Sequence, residues 1–345
     1  MMFLRSRGTF YVATSLACLL LVLIWLWKLP APLEREVVPP APVAELSPEE
    51  YVGLASYFVD LADSTDPQTA LTELRERTVT DEKLLRSCHP LVHELGRAAY
   101  ARYSDFAEAM QYRDEICNSG YLHGVIEAHF SASEDMFVAL KDVCTPYPLG
   151  KYLSWECYHG VGHGLMYYSG NDLPRSLELC DAYEDAFARM SCRNGVFMEN
   201  FNVDGTFHTS EYITVEKPID SCRDQRWRHK GGCYLYLPSY YLALHKNAYA
   251  DALSWCRGAE FLFRGACAEG VGTQAMKENL MRPEVVEAIC AEGKSSQTDS
   301  CITGMVGLYI NHYGALQPAE ALCERLSTKN SRTCKKVIVS YEELF

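Results

Sequence analysis

The sequence is short of positive charge. Its 345 residues carry 32 lysines and arginines against 45 aspartates and glutamates, which gives a formal net charge of −13. Proteins that bind nucleic acid present a basic face that neutralises phosphates. The only basic residues that stand out here are Arg5 and Arg7 near the N-terminus. Nucleic acid is therefore not an expected partner.

The best-known catalytic motifs are also missing. The chain has no Gly-rich phosphate loop, no Gly-x-Ser-x-Gly elbow and no His-Glu-x-x-His zinc motif. It also lacks the Cys-x-x-Cys-His sequence that attaches haem covalently. These absences exclude the usual signatures of nucleotide hydrolases, α/β-hydrolases, zinc proteases and c-type cytochromes, so any site must be found from spacing alone.

One long apolar run is present, from about Thr9 to Trp27. Its length suffices to span a bilayer. A cleavable signal peptide is the alternative, but no small-x-small cleavage site follows the run. We therefore expect residues 1–28 to be a cytoplasmic tip and a transmembrane signal anchor, with the main domain periplasmic, lumenal or extracellular. Residues 29–47, which are rich in proline, are expected to form an extended linker.

Cysteines are abundant, and 14 of the 15 follow the anchor. In an oxidising compartment an even number of cysteines is best interpreted as a set of disulfides. Six pairs lie 11 to 13 residues apart, and Cys88 and Cys117 remain to form the seventh. The six regular pairs are 144/157, 180/192, 222/233, 256/267, 290/301 and 323/334.

The cysteine pairs recur along the chain. Their leading members advance by 33 to 42 residues, a period typical of stacked helical hairpins. The first cysteine tends to end a short helical stretch, and the second opens a longer one, often as Cys-x-x-Gly. The sequence thus predicts an all-α solenoid or toroid of disulfide-stapled αα repeats of about 34 residues. N-terminal repeats are expected over 48–204 and C-terminal repeats over 205–345.

Histidines and glutamates recur at one place in the first repeats. Counted from the preceding cysteine, His93 stands at +5, His123 and His163 at +6, and Glu199 at +7. Side chains four residues apart share a helix face, so three side-by-side pairs are expected. These pairs are His89/His93, His123/Glu127 and His159/His163.

A mixture of imidazoles and carboxylates on facing helices is typical of a transition-metal site in an all-α fold. The predicted metal ligands are His89, His93, His123, His159 and His163. Glu127 and Glu199 are the predicted catalytic residues, as ligand or general base. The competing interpretation is that these are ordinary buried or surface histidines. Against it, the imidazoles stop after the third unit while the repeat continues, with Met198 at the next +6 position.

Two features of the sequence count against a shared metal site. Packed helices usually lie about 8–10 Å apart, so several of them reach one ion only if the chain curls tightly. In addition, Pro90 predicts extended backbone at His89.

The function that follows is a membrane-anchored extracytoplasmic metalloprotein, with oxidative iron or copper chemistry favoured over zinc hydrolysis. Its substrate would be a small molecule or a peptide, and the C-terminal repeats would act as scaffold or as the surface for a protein partner. The alternative is a non-enzymatic helical-repeat scaffold that binds a peptide or protein in its concave face.

Overall fold

Helices form all the regular structure of residues 46–201 and 210–345, which are the residues that the computed structural model describes. No strand occurs in these two ranges, which confirms the all-helical prediction. In chain order the helices are α1 Pro48–Ser64, α2 Pro67–Thr78, α3 Glu82–Arg86, α4 Cys88–Tyr103, α5 Phe106–Met110, α6 Ile116–Ala132, α7 Met136–Asp142, α8 Tyr152–Ser169, α9 Leu173–Asp181, α10 Ala186–Phe201, α11 Asp220–Arg223, α12 Trp227–Leu244, α13 Tyr249–Trp255, α14 Arg264–Glu278, α15 Pro283–Ala291, α16 Ser295–Tyr313, α17 Gln317–Arg325 and α18 Thr328–Glu342.

The N-terminal boundary of the described part is a capped helix. The Ser47 hydroxyl accepts a hydrogen bond from the Glu50 amide, and the Glu50 carboxylate accepts one from the Ser47 amide. This reciprocal cap, with Pro48 at the first helical position, is a strong start signal. The predicted anchor (residues 1–28) and most of the predicted linker lie outside the described residues. Within those residues, no helix combines the length and the apolar character needed to cross a membrane.

Seven disulfides join the cysteines in the predicted pairs, which confirms the adjacent-pair scheme. In most units a short helix ends near the first cysteine, and the second cysteine lies in the longer helix that follows. Cys180 at the end of α9 and Cys192 inside α10 illustrate the arrangement. These bridges fix the short helix against the start of its long partner, whereas the bridge between Cys88 and Cys117 joins the starts of the long helices α4 and α6.

The long helices pack on one another in chain order. The succession runs α4, α6, α8, α10, α12, α14, α16, α18, and each member contacts the next. Two further contacts join early and late parts of this series. Helix α16 packs against α6, and the Tyr152 amide at the start of α8 donates to the Leu344 carbonyl at 2.8 Å. The series therefore bends back on itself, which turns one face of the long helices towards a common interior.

Glycines bring these helices close together. A Cβ atom on Gly195 of α10 would lie 1.9 Å from the His159 carbonyl oxygen of α8, and one on Gly124 of α6 would lie 2.0 Å from that of His93 on α4. Any side chain at either position would force the backbones apart. The close approach removes the objection that helices at ordinary spacing hold their histidines too far apart.

Candidate metal centre

All five predicted histidines lie in one cluster at the interior faces of α4, α6 and α8. Ring centroids are 4.6 Å apart for His89 and His93, 4.9 Å for His123 and His163, and 5.0 Å for His159 and His163. The pairs between helices that complete the cluster are separated by 5.4 to 6.3 Å. One nitrogen from each of His89, His123 and His163 lies within 4.8 Å of the others.

The α4 pair shows which nitrogens face the cluster. Nδ1 of His89 lies 2.7 Å from the Cys117 carbonyl oxygen, and Nδ1 of His93 lies 2.9 Å from Glu127 Oε1. A carbonyl oxygen or a carboxylate only accepts, so both Nδ1 atoms carry the proton. In the neutral rings both Nε2 atoms are then bare lone pairs, and they face each other at 3.0 Å. Either a proton shared by the two rings or a metal ion bound by both would satisfy these lone pairs.

The α8 pair repeats the arrangement at His163 only, because Nδ1 of His159 has no hydrogen-bond partner among the described residues. His163 Nδ1 lies 2.7 Å from Glu199 Oε2, so its Nε2 is free of a proton in the neutral ring. This Nε2 lies 3.2 Å from Nε2 of His159. Two nitrogens bound at 2.0–2.1 Å to one ion are separated by about 3.3 Å at a tetrahedral angle and about 2.9 Å at a right angle. Both Nε2 pairs match neighbouring ligands of a single ion.

His123 lies between the two pairs and is almost completely buried, at 1% exposure. Neither of its ring nitrogens has a hydrogen-bond partner in the described part of the chain. Its Nε2 lies 3.6 Å from Oε2 of Glu156, which is buried to the same extent. Buried polar atoms are nearly always paired, so both nitrogens of His123 are available to a water molecule or an ion.

Burial favours the neutral form of three of the five imidazoles. It lowers the pKa of His89, His123 and His159 well below the usual value, and the neighbouring imidazoles lower it further. Burial also raises the pKa of Glu156 to about 7. Neutral imidazoles are the form that binds metal, so no proton must leave these three rings at neutral pH.

The two glutamates lie behind the imidazoles. Burial opposes ionisation of Glu127, but His93 and Arg97 outweigh it and lower its pKa to about 2. Arg97 pairs with Glu127, and at 2.7 Å with Glu94. Glu127 and Glu199 each contact the Nδ1 atom of a histidine. This geometry favours an orienting role, as carboxylates have behind metal-bound histidines. Their predicted roles as ligand or general base stay predictions.

A strained backbone segment holds His89 in place through a hydrogen bond. Cys117, Asn118 and Ser119 have φ values of 57°, 56° and 53°, which is left-handed backbone that non-glycine residues avoid. The Cys117 carbonyl that holds His89 belongs to this turn, and a disulfide ties Cys117 to Cys88. Strain of this kind persists only where the surroundings impose it, and it concentrates at functional sites.

The expectation of extended backbone at His89 is wrong. Helix α4 begins at Cys88, so Pro90 falls in its first turn, where a missing amide hydrogen breaks no helical bond. His89 is therefore helical and shares a face with His93.

Two residues of the site were not predicted as members. Glu156 precedes Cys157 and lies three and seven residues before His159 and His163, so the helical period places it on their face. Met198 occupies the +6 position, and its sulfur lies 3.3 Å from His159 Nε2. The helical spacing of Glu156 and the +6 position of Met198 could have predicted both residues.

Other histidines lie apart from the cluster. His229 contacts Asp181 at 3.1 Å, and His129 packs on Phe106, with ring centroids 4.8 Å apart. His245 is exposed and packs on Tyr241. Residue 208 lies outside the described ranges.

Comparison with protein-family models, with curated proteins and with solved structures gives no match for this chain.

Proposed function

We propose that this chain is a metalloprotein whose centre holds a redox-active transition metal between α4, α6 and α8. The observation that carries the proposal is the pair of Nε2 atoms of His89 and His93, 3.0 Å apart. Their protons are fixed on the far side of each ring by Cys117 and Glu127. Two lone pairs at this distance repel unless a cation lies against both.

The donor set narrows the type of centre. Imidazole nitrogens, a nearby carboxylate and a thioether suit iron or copper, and also zinc. The disulfides make the cysteines unavailable as thiolate ligands, so a closed structural Cys₄ zinc site is not an alternative. We infer an oxidoreductase that uses iron or copper, acting on a small molecule or a peptide.

We also infer the architecture around the centre. The long helices follow one another as repeats, and the contacts of α16 with α6 and of Tyr152 with Leu344 support closure of these repeats into a ring. The histidines of the cluster all lie on α4 to α8, so the later helices would act as scaffold or as a partner surface. Seven disulfides favour a location outside the cytoplasm, held at a membrane by the predicted N-terminal anchor.

The test is metal analysis of the full chain, purified in detergent after growth with iron, copper and zinc all supplied. We expect a stoichiometric transition metal, and its loss in a His123→Ala/His163→Ala double variant that keeps its helical circular dichroism. His245→Ala is the matched control, because this histidine is exposed and its ring packs on Tyr241.

The outcomes separate the alternatives. Bound iron or copper that cycles between two oxidation states, followed by electron paramagnetic resonance, supports an oxidoreductase. Bound zinc would favour hydrolysis. Wild-type protein that takes up no metal would overturn the proposal and favour the non-enzymatic binding scaffold.

A further inference from the structure

The five histidines do not surround a uniform site. His89 and His93 form one corner, on α4, where their Nε2 atoms face each other at 3.0 Å. His159 and His163 form the opposite corner, on α8. His123 stands between them, with ring centroids 5.5 Å from His89 and 4.9 Å from His163.

Only the α8 corner meets a sulfur atom in the described residues. Met198 Sδ lies 3.3 Å from Nε2 of His159, and that Nε2 lies 3.2 Å from Nε2 of His163. The Nε2 atom of His159 therefore has both the thioether sulfur and the Nε2 atom of His163 within 3.3 Å. Both corners have a carboxylate behind one imidazole, Glu127 at His93 and Glu199 at His163, so the sulfur atom is the difference between them.

The register of the repeat explains why Met198 reaches His159. It stands six residues after Cys192, as His123 stands after Cys117 and His163 after Cys157. The same position on three successive long helices thus supplies a side chain to the cluster each time. A methionine placed only to fill space would need no such register.

The chemistry of a thioether is selective. Sulfur of methionine is a soft, uncharged donor that prefers Cu(I) and contributes little to binding of Zn(II) or Fe(II). Imidazole binds all three. A corner with two imidazoles and one thioether therefore differs from a corner with imidazoles alone in which ion it retains, and in which oxidation state.

We propose that His159, His163 and Met198 form a copper(I) subsite, distinct from the all-nitrogen corner of His89 and His93. This inference rests on the proposed metal function and adds the identity of the ion and the residue that selects it. Met198 is the specificity-determining ligand, and the copper at this corner is held reduced by a neutral N₂S donor set.

The experiment is anaerobic Cu(I) titration of the metal-free full chain in detergent against a chromophoric Cu(I) chelator. Met198→Leu keeps the volume and removes the sulfur. We expect it to weaken Cu(I) binding by at least tenfold, while Zn(II) affinity stays within twofold. Met190→Leu is the matched control, because Met190 lies on the same helix and is 49% exposed.

X-ray absorption of the copper-loaded wild type supplies a direct readout. A copper–sulfur scattering component, absent in Met198→Leu, supports the proposal. A shell of nitrogen and oxygen alone in the wild type overturns it, as does a Met198→Leu variant with unchanged Cu(I) affinity. In either of those cases a protein that still binds metal keeps the proposed function, whereas wild type that binds none loses both.

Discussion

The contact of His163 with Glu199 repeats, two long helices further along, the contact of His93 with Glu127. In each case Nδ1 of the histidine meets a carboxylate carried by the next long helix, at 2.7 Å and 2.9 Å respectively. A carboxylate in this position fixes the tautomer and turns the other ring nitrogen towards the centre. The same hydrogen-bonded pair of a histidine and a carboxylate thus occurs twice, each time between two successive long helices.

Removing one of these carboxylates should loosen the centre without unfolding the chain. We expect Glu127→Gln to lower metal affinity by about 10- to 100-fold, because the amide holds the His93 tautomer less firmly. Competition with a chelator measures this. Glu94→Gln, which removes the other acidic partner of Arg97, should leave the affinity nearly unchanged. Equal losses in both variants would contradict the orienting role.

Alanine substitutions at Gly195 and Gly231 should change the free energy of unfolding in opposite directions, because only Gly195 lies in a close helix contact. Gly195→Ala should cost about 1–3 kcal/mol or more of unfolding free energy and lower metal content, because its Cβ meets the His159 carbonyl oxygen at 1.9 Å. Gly231→Ala, in a helix with open space around the glycine, should stabilise by about 0.5–1 kcal/mol. Urea unfolding measures both. A Gly195→Ala variant of native stability and full metal content would show that the helices need not approach so closely.

Loss of one disulfide should lower stability alone, whereas loss of another should lower metal affinity as well. Cys256→Ala/Cys267→Ala opens an 11-residue separation and should cost about 3 kcal/mol, with metal content retained because this bridge lies in later helices. Cys88→Ala/Cys117→Ala should lower metal affinity as well, since it releases the turn whose carbonyl holds His89. Parallel unfolding and metal titrations separate the two effects. Full metal affinity in Cys88→Ala/Cys117→Ala would show that the turn is not needed to position His89.

Glu269 should make stability fall as pH rises. Burial raises its pKa from 4.5 to about 7, so between these values the folded chain keeps a proton that the unfolded chain has released. The contribution is complete below pH 4.5, declines as pH rises, and is gone above about 7; its size is at most about 3 kcal/mol.

The measurement is urea unfolding of wild type and Glu269→Gln from pH 4 to 8. The difference in unfolding free energy between them should shift against the wild type as pH rises, because glutamine cannot ionise. Exposed Glu320→Gln serves as the control and should follow the wild type at every pH. A constant difference between wild type and Glu269→Gln would show that this carboxyl ionises normally in the folded chain.

Spacing along the chain predicted which histidines lie side by side. A shared helix face is a local property, so the four-residue spacing placed His89 beside His93 and His159 beside His163. Regular gaps between cysteines likewise predicted six of the seven disulfides, and the bridge between Cys88 and Cys117 followed by elimination. These features depend on geometry within one helix or one hairpin, which sequence expresses directly.

Contacts between helices were harder to predict. Glu127 was expected beside His123, four residues away, but its contacts cross to His93 and Arg97 on another helix. The partner across an interface depends on how closely two helices pack, and that distance depends here on glycines such as Gly124. Met198 was noted only as the point where the imidazoles stop, because a thioether is more often core than ligand.

The candidate site depends on formation of the disulfide between Cys88 and Cys117. While the two thiols are reduced, nothing covalent holds the left-handed turn against the start of α4, and His89 lacks its fixed acceptor. The candidate site is therefore complete only after this pair of thiols has been oxidised. A nascent chain in a reducing compartment would present an unfinished site, and metal loading would become a late step of maturation.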